Sequence, residues 1–335
     1  MTSFLSFLAR QVIGLRSVAC LLFLASPLSH AQWHNQSQDI MGTRITVELW
    51  SEDPQKAEQA IESVVHEMRQ IDARLSPYKE NSDLSKLNRQ AAKSAVPLSD
   101  ELFLLLNKAI DYSRLSDGAF DISFASVGQF YDYREQQQPQ QKTLQTHLPA
   151  IDYRSIVIDQ EKRTVRFLHP LLKIDLGGIA KGYAVDRGIE LLKQQGIVSA
   201  IVMAGGDSRI LGDRGNQPWL LGIRHPRSKG KLAVKLPLTD TAFSTSGDYE
   251  RYFLDGDKRI HHIINPSTGQ SATGIQSVSV IAPDGIDSDA LSTTVFVLGI
   301  EKGLALINQL EGIDAIIIDG EGKLHYSAEL LMPVK

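Results

Sequence analysis

The stretch KIDLGGIAKGYAVDR, residues 173–187, runs an apolar segment into Asp175, follows it with two glycines and opens a helix that carries Lys181. Strand, closely spaced glycines, helix start and lysine are the parts of anion sites, because exposed N–H groups at a helix N-terminus and a nearby ammonium both favour negative charge. The spacing is neither GxxxxGK[ST] nor GxGxxG, so neither common nucleotide loop is present. Taken alone, the stretch reads equally as a tight turn with a solvated lysine.

Working outward decides the fold class. Before the stretch, SIVIDQEKRTVRFL (155–168) reads as a hairpin with Ile156 and Ile158 facing Val165 and Phe167. After it, a helix through Leu191 and Leu192 stops near Gly196, and strands are expected at 199–204, 219–224, 232–238, 276–282 and 314–318. Towards the N-terminus, MGTRITVELW (41–50) alternates Ile45, Val47 and Leu49 as a strand, and Ala57 to Ile71 follow helical spacing. Further helices fit 99–116, 288–298 and 301–310. The polar segment EQQQPQQKTLQ (135–145) reads as a surface loop. Strands and helices mix without strict βαβ alternation, so the expectation is α+β, as one large domain or two interleaved subdomains.

The 335-residue chain is 42% hydrophobic with a net charge of −4, which argues against a nucleic-acid binder. Any anion site is therefore local. Residues 1–31 read as a signal peptide: Arg10 and Arg16, the apolar VACLLFLASPL, then Ser29-His30-Ala31 as a cleavage site. Cys20 is the only cysteine and sits at the start of the apolar core, so it makes a poor lipid anchor, and membrane tethering is not expected. Cleavage before Gln32 leaves a domain over 32–335 without a thiol, which excludes thiol catalysis, disulfides and cysteine–metal sites. A periplasmic protein is the expected product.

Several other segments hold residues suited to chemistry. In SDALSTTVFVLG (288–299), Asp289 and Thr293 stand at i and i+4 as hard oxygen donors suited to Mg²⁺, or as a capping Asp and a Thr bonded to its own helix. HHIINPSTGQSA (261–272) sets His261 and His262 on opposite sides of an extended chain, so one imidazole faces a site and acts as a base, or is merely packed. AFSTSGDYERYF (242–253) offers small hydroxyl residues for close backbone contact, or an ordinary turn. Gly118 of DGAFDIS (117–123) reads as a helix C-cap.

In order, MGT at 41, LSPYKENSDLSKLN at 75–88, DGAFDIS, DLGGIAKGYAVD, MAGGD at 203–207, STSGDYERYF, HHIINPSTG and SDALSTTVFVLG resemble the ApbE family of FAD:protein FMN transferases across nearly the whole mature chain. The resemblance implies an α+β fold that takes FAD and Mg²⁺. It implies transfer of FMN to a threonine or serine of an acceptor protein, typically an FMN-binding redox subunit, with release of AMP. By position, Met41, Tyr78, Ala119, Phe120, Asp121, Asp175, Lys181 and Ile263 would contact FAD. Gly178 (through its carbonyl), Asp289 and Thr293 would hold Mg²⁺, and His262 or Asp289 would take the acceptor's proton. An FAD pyrophosphatase, with water as acceptor, and a non-catalytic FAD-binding protein share these motifs and are the rival readings.

Overall fold

The computed structural model describes residues 32–332; the signal peptide expected over 1–31 lies outside them. An eight-stranded sheet forms its centre, built from β1 (Gln32–Ile40), β2 (Thr43–Ser51), β3 (Ala200–Ala204), β4 (Asp207–Leu211), β5 (Ala242–Gly247), β6 (Ile275–Ala282), β7 (Asp314–Asp319) and β8 (Leu324–Tyr326). These strands lie side by side in chain order, and every neighbouring pair is antiparallel. Four longer helices are inserted between them: α1 (Pro54–Leu75), α2 (Asp100–Leu115), α3 (Ala180–Gln194) and α4 (Gly285–Leu298). The architecture is α+β.

Side-chain alternation along the strands divides the core in two. Ala200, Val202 and Ala204 of β3, Val278 and Val280 of β6 and Ile317 of β7 belong to the larger cluster, with α1, α3 and α4. Ile201, Ile210, Phe243, Ile316 and Ile318 face the other way, under a hairpin of Trp219–Arg224 and Leu232–Leu238. Helix α4 is buried on nearly all sides, with Ile286, Ala290, Leu291, Val295 and Phe296 all in the larger cluster, as befits a central helix. Towards β5 it presents hydroxyls instead of large apolar groups: Ser244 meets Ser288 at 2.7 Å and Ser246 meets Ser292 at 2.8 Å. These small residues let helix and strand approach closely.

Four sequence expectations need correction. The strand read from residue 41 begins at Thr43; Met41 (φ 57°) and Gly42 (φ 69°) form the two-residue turn that joins it to β1, and positive φ at both positions suits a tight hairpin. Residues 242–247 form a central strand, not a turn. The loop expected over 135–145 is helical from Gln141, where Leu144 becomes buried. Finally, the run into Asp175 is extended but belongs to no sheet. The side-chain amide of Asn88 takes the place of a neighbouring strand, accepting from Ile174 N–H at 2.8 Å and donating to Ile174 C=O at 2.8 Å.

Helices α3 and α4 cross at two glycines. A Cβ on Gly182 would stand 2.0 Å from the Gly285 carbonyl oxygen and 2.7 Å from Asp289 Cβ. Gly182→Ala should therefore cost about 3 kcal/mol or more, the upper end for overpacking a rigid contact. Denaturant unfolding checks this; wild-type stability in that variant would mean that the crossing is slack.

Candidate active site

The glycine turn, the start of α3 and the first two turns of α4 meet at one place. Gly182 is the third residue of α3, one of the N-terminal donors that have no partner within their own helix. Here it donates to Asp289 Oδ2 at 2.9 Å. No described residue donates to the Gly178 carbonyl, which is left as a free acceptor. Gly178 is also close to Thr293 and Phe120: a Cβ on it would stand 3.4 Å from Thr293 Oγ1 and 3.2 Å from the Phe120 ring. Gly178, Asp289 and Thr293 thus come close together where the glycine turn meets the α3–α4 crossing.

Lys181 ties this group to the sheet. Its ammonium pairs with Asp207 of β4 and lies 3.5 Å from Asp289 Oδ1. Both carboxylates are almost fully buried, at 2% and 3% side-chain exposure. Burial opposes the charge on Lys181, but the two carboxylates together outweigh it and hold the ammonium above its ordinary range. Asp289 shifts upward, first through burial and then through repulsion from Asp207, with Lys181 and Gly182 N–H acting in the opposite sense. Two carboxylates against one ammonium leave a buried excess of negative charge, which a cation would relieve.

The two adjacent histidines separate as an extended chain requires. His261 is buried against Phe296, with Nε2 at 2.8 Å from the Ala272 carbonyl and Nδ1 accepting from Ile263 N–H. His262 is half-buried and its Nδ1 has no partner. Its pKa is pushed down to about 3, first by burial and then by the charges of Arg251, His261 and Lys181. Near neutral pH it is therefore an uncharged imidazole with a free ring nitrogen.

The remaining expected residues fall into two groups. Asp175 is half-buried beside the turn, accepting from Gly177 N–H at 2.6 Å. Burial raises its pKa, against the Gly177 bond and the Arg251 charge. Tyr78 is 84% exposed, an aromatic ring held out into solvent; Asp175 and Arg251 both bear on its hydroxyl. Met41 sits in the β1–β2 turn, whose Gly42 carbonyl accepts from Arg251 at 3.3 Å. Arg251 connects these three: its charge bears on Asp175 and Tyr78, and its guanidinium bonds the turn that holds Met41. In the second group, the Asp121 carboxylate is occupied by Ser123 N–H and Oγ and by Tyr153 N–H. Ile263 is buried with its N–H bonded to His261 and its C=O to Ala272 N–H. Phe120 is buried with its ring beside Gly178, and Ala119 is half-buried next to it. From 119–121, the residue open to a ligand is Ala119, because the Phe120 ring is buried and the Asp121 carboxylate is occupied.

A profile of the ApbE family matches residues 41–317. The chain belongs to the ApbE family. A relative from Treponema pallidum, named FAD:protein FMN transferase, is 32% identical over 90% of this chain and 89% of its own. A Klebsiella pneumoniae protein of the same name is 29% identical over 87% and 90%. Among solved structures, the ApbE protein of Thermotoga maritima superposes with a TM-score of 0.82 at 31% identity, covering 89% of this chain and 98% of that one. The flavin transferase ApbE of Vibrio cholerae gives a TM-score of 0.80 at 25% identity, with the same coverage.

Three residues of this site went unassigned in the sequence reading. Asp207 ends the MAGGD block, but only strand pairing shows that it faces Lys181. Asp186 caps α4 from a distance: its carboxylate accepts from Gly285 N–H at 2.7 Å and Ile286 N–H at 2.8 Å. The one available signal was its spacing, one turn after Gly182. Arg251 reaches the cleft from the loop after β5, and no carboxylate among the described residues pairs with it.

Replacing Lys181 with Met should cost about 3–5 kcal/mol by leaving two buried carboxylates uncompensated. The deficit should shrink as pH falls from 8 to 5, since protonation removes the repulsion that the lysine offsets. Unfolding free energies of both proteins across that range check the sign. A deficit independent of pH would mean that lost packing, not charge, is responsible.

Proposed function

We propose that the chain is an Mg²⁺-dependent FAD:protein FMN transferase, acting in the periplasm as a mature domain that begins at Gln32. The observation that carries this reading is the bond from Gly182 N–H that fixes the Asp289 carboxylate at the glycine turn, where the Gly178 carbonyl has no donor among the described residues and Thr293 lies close. Among the described residues, no three His, Cys, Asp or Glu side chains converge on a metal position. A carboxylate, a hydroxyl and a carbonyl nevertheless fit Mg²⁺, which prefers hard oxygens, needs few protein ligands and completes its shell with water and phosphate. When bound there, Mg²⁺ would neutralise charge on the pyrophosphate and on the AMP leaving group.

The chain's own residues would do the rest. Backbone at Gly177–Gly178 is open to close approach by the pyrophosphate, with Lys181 behind it and Arg251 at the rim. Tyr78, Met41 and the half-buried Ala119 would offer surfaces for the flavin and adenosine parts of FAD. The acceptor's threonine or serine oxygen would bond to the phosphorus of the FMN half as the bridging P–O bond breaks. AMP leaves with the bridging oxygen, and the hydroxyl proton would pass to the His262 imidazole. Of the two expected proton acceptors, His262 suits the role better, because Asp289 is engaged by Gly182 and Lys181. Burial and nearby positive charges hold the His262 pKa down, and an arriving pyrophosphate would offset those charges. No helix among the described residues is long and apolar enough to cross a membrane. The expected acceptor is an FMN-binding redox subunit.

The test follows AMP release from FAD and Mg²⁺ with and without an FMN-binding acceptor domain, and weighs that domain. AMP release that depends on the acceptor, with an FMN-sized gain on its threonine, is the expected result. AMP and free FMN without acceptor would make the protein a pyrophosphatase, and FAD binding without AMP would remove the enzyme reading. In the same assay His262→Ala should slow transfer about 100-fold or more while leaving FAD affinity near wild type. A pure binding defect would make the residue structural. Mg²⁺ affinity should fall as pH drops below neutral, because binding must displace a proton that the raised pKa of Asp289 retains. Calorimetric titration at two pH values checks this, and Thr293→Val should weaken the metal about 10–100-fold.

A further inference from the structure

The sheet face turned away from the catalytic helices carries a second concavity, of about 550 Å³. Its floor includes Ile201 and Met203 of β3 and Phe243 of β5, and its wall is the strand Trp219–Arg224 of the covering hairpin. Every residue from Gln217 to Gly222 lines it, whereas none from Leu232–Leu238 does. Consecutive lining residues, instead of alternate ones, mean that the groove follows the backbone edge of this strand.

That edge has no partner. Trp219–Arg224 pairs with Leu232–Leu238 alone, in a two-stranded sheet. Alternate residues of such a strand turn their N–H and C=O groups to the free side, and no described residue bonds to them there. Trp219, which lines the groove, is only 4% exposed, and its buried indole N–H has no partner among the described residues. Buried donors of this kind are ordinarily satisfied. Apolar surface is exposed in the groove at Leu220 (73%) and beyond it at Leu232 (46%). A small ligand would not cover that surface, but a protein segment would.

The groove leads to the site. Its lining includes Gly205 and Gly206, the turn between β3 and β4, and then Asp207, which pairs with Lys181 on the catalytic side of the sheet. Resting on the flavin-transfer reading, we propose that this groove docks an extended segment of the acceptor protein. The segment adds as a third strand to the free edge of Trp219–Arg224, and the chain beyond it passes Gly205–Gly206 to bring the hydroxyl to the catalytic cluster. Main-chain bonds supply affinity in this mode, and alternate side chains resting on Ile201, Met203 and Phe243 supply selectivity.

Hydrogen exchange of the full mature protein with FAD, with and without an FMN-binding domain whose target threonine is replaced by valine, tests the docking. Amides of Trp219–Arg224 should slow at least about tenfold on adding that domain. Met203→Trp, which fills the floor, should raise the acceptor KM about tenfold or more with FAD affinity unchanged. Unaltered exchange in this strand, while the wild-type enzyme still transfers FMN to the threonine form, would overturn the docking and leave the transferase reading intact. If no FMN is transferred to any acceptor, both fall together. Protection that appears on adding FAD alone, or on raising enzyme concentration alone, would give the groove to the nucleotide or to a second copy and likewise overturn the proposal.

Discussion

The contact between Gly182 and Gly285 governs this molecule. Two helices that touch through backbone atoms bring Asp289 close enough to take a hydrogen bond from within α3. That one bond gives the Asp289 carboxylate a fixed orientation, with Lys181 between it and Asp207. Asp186, one turn further along α3, caps α4 through the same crossing. The α4 N-terminus is thus tied to α3 by hydrogen bonds as well as by packing. Larger residues at either glycine would separate the helices and dismantle the site.

The sheet acts as a partition as well as a scaffold. Its helix face holds the buried charges, and its other face holds the hairpin-covered groove. Asp207 is shared, lining the groove and pairing with the catalytic-side lysine. A transferase with a nucleotide donor and a protein acceptor must keep two very different substrates apart until their reacting atoms meet. With the acceptor docked in the groove as proposed, opposite faces of one sheet, joined at a glycine turn, would meet that need.

Much of this was legible in the residues, and what was not has specific physical causes. The hairpin over 156–167 appears in the register that its alternating isoleucines imply, Ile156 opposite Phe167 and Ile158 opposite Val165. The i, i+4 relation of Asp289 and Thr293 and the opposed histidines were likewise local facts, readable from period alone. Strand β5 was missed because AFSTSG lacks branched apolar residues; it is held by hydroxyl pairs to α4 and by its neighbours in the sheet. The α4 start was misplaced by three residues because its cap comes from another helix. Asn88 had no readable role, since a side-chain amide standing in for a strand leaves no periodic trace. The charges that tune Lys181 and His262 come from segments far apart in the chain, so spacing could not place them.

Crystals grown with FAD and Mn²⁺ in place of Mg²⁺ offer the most direct measurement, because anomalous scattering locates the metal without assumption. An anomalous peak bonded to the Asp289 carboxylate, the Thr293 hydroxyl and the Gly178 carbonyl, and touching the pyrophosphate, is the predicted result. A peak elsewhere, or FAD bound in the cleft with no metal at these oxygens, would contradict the account.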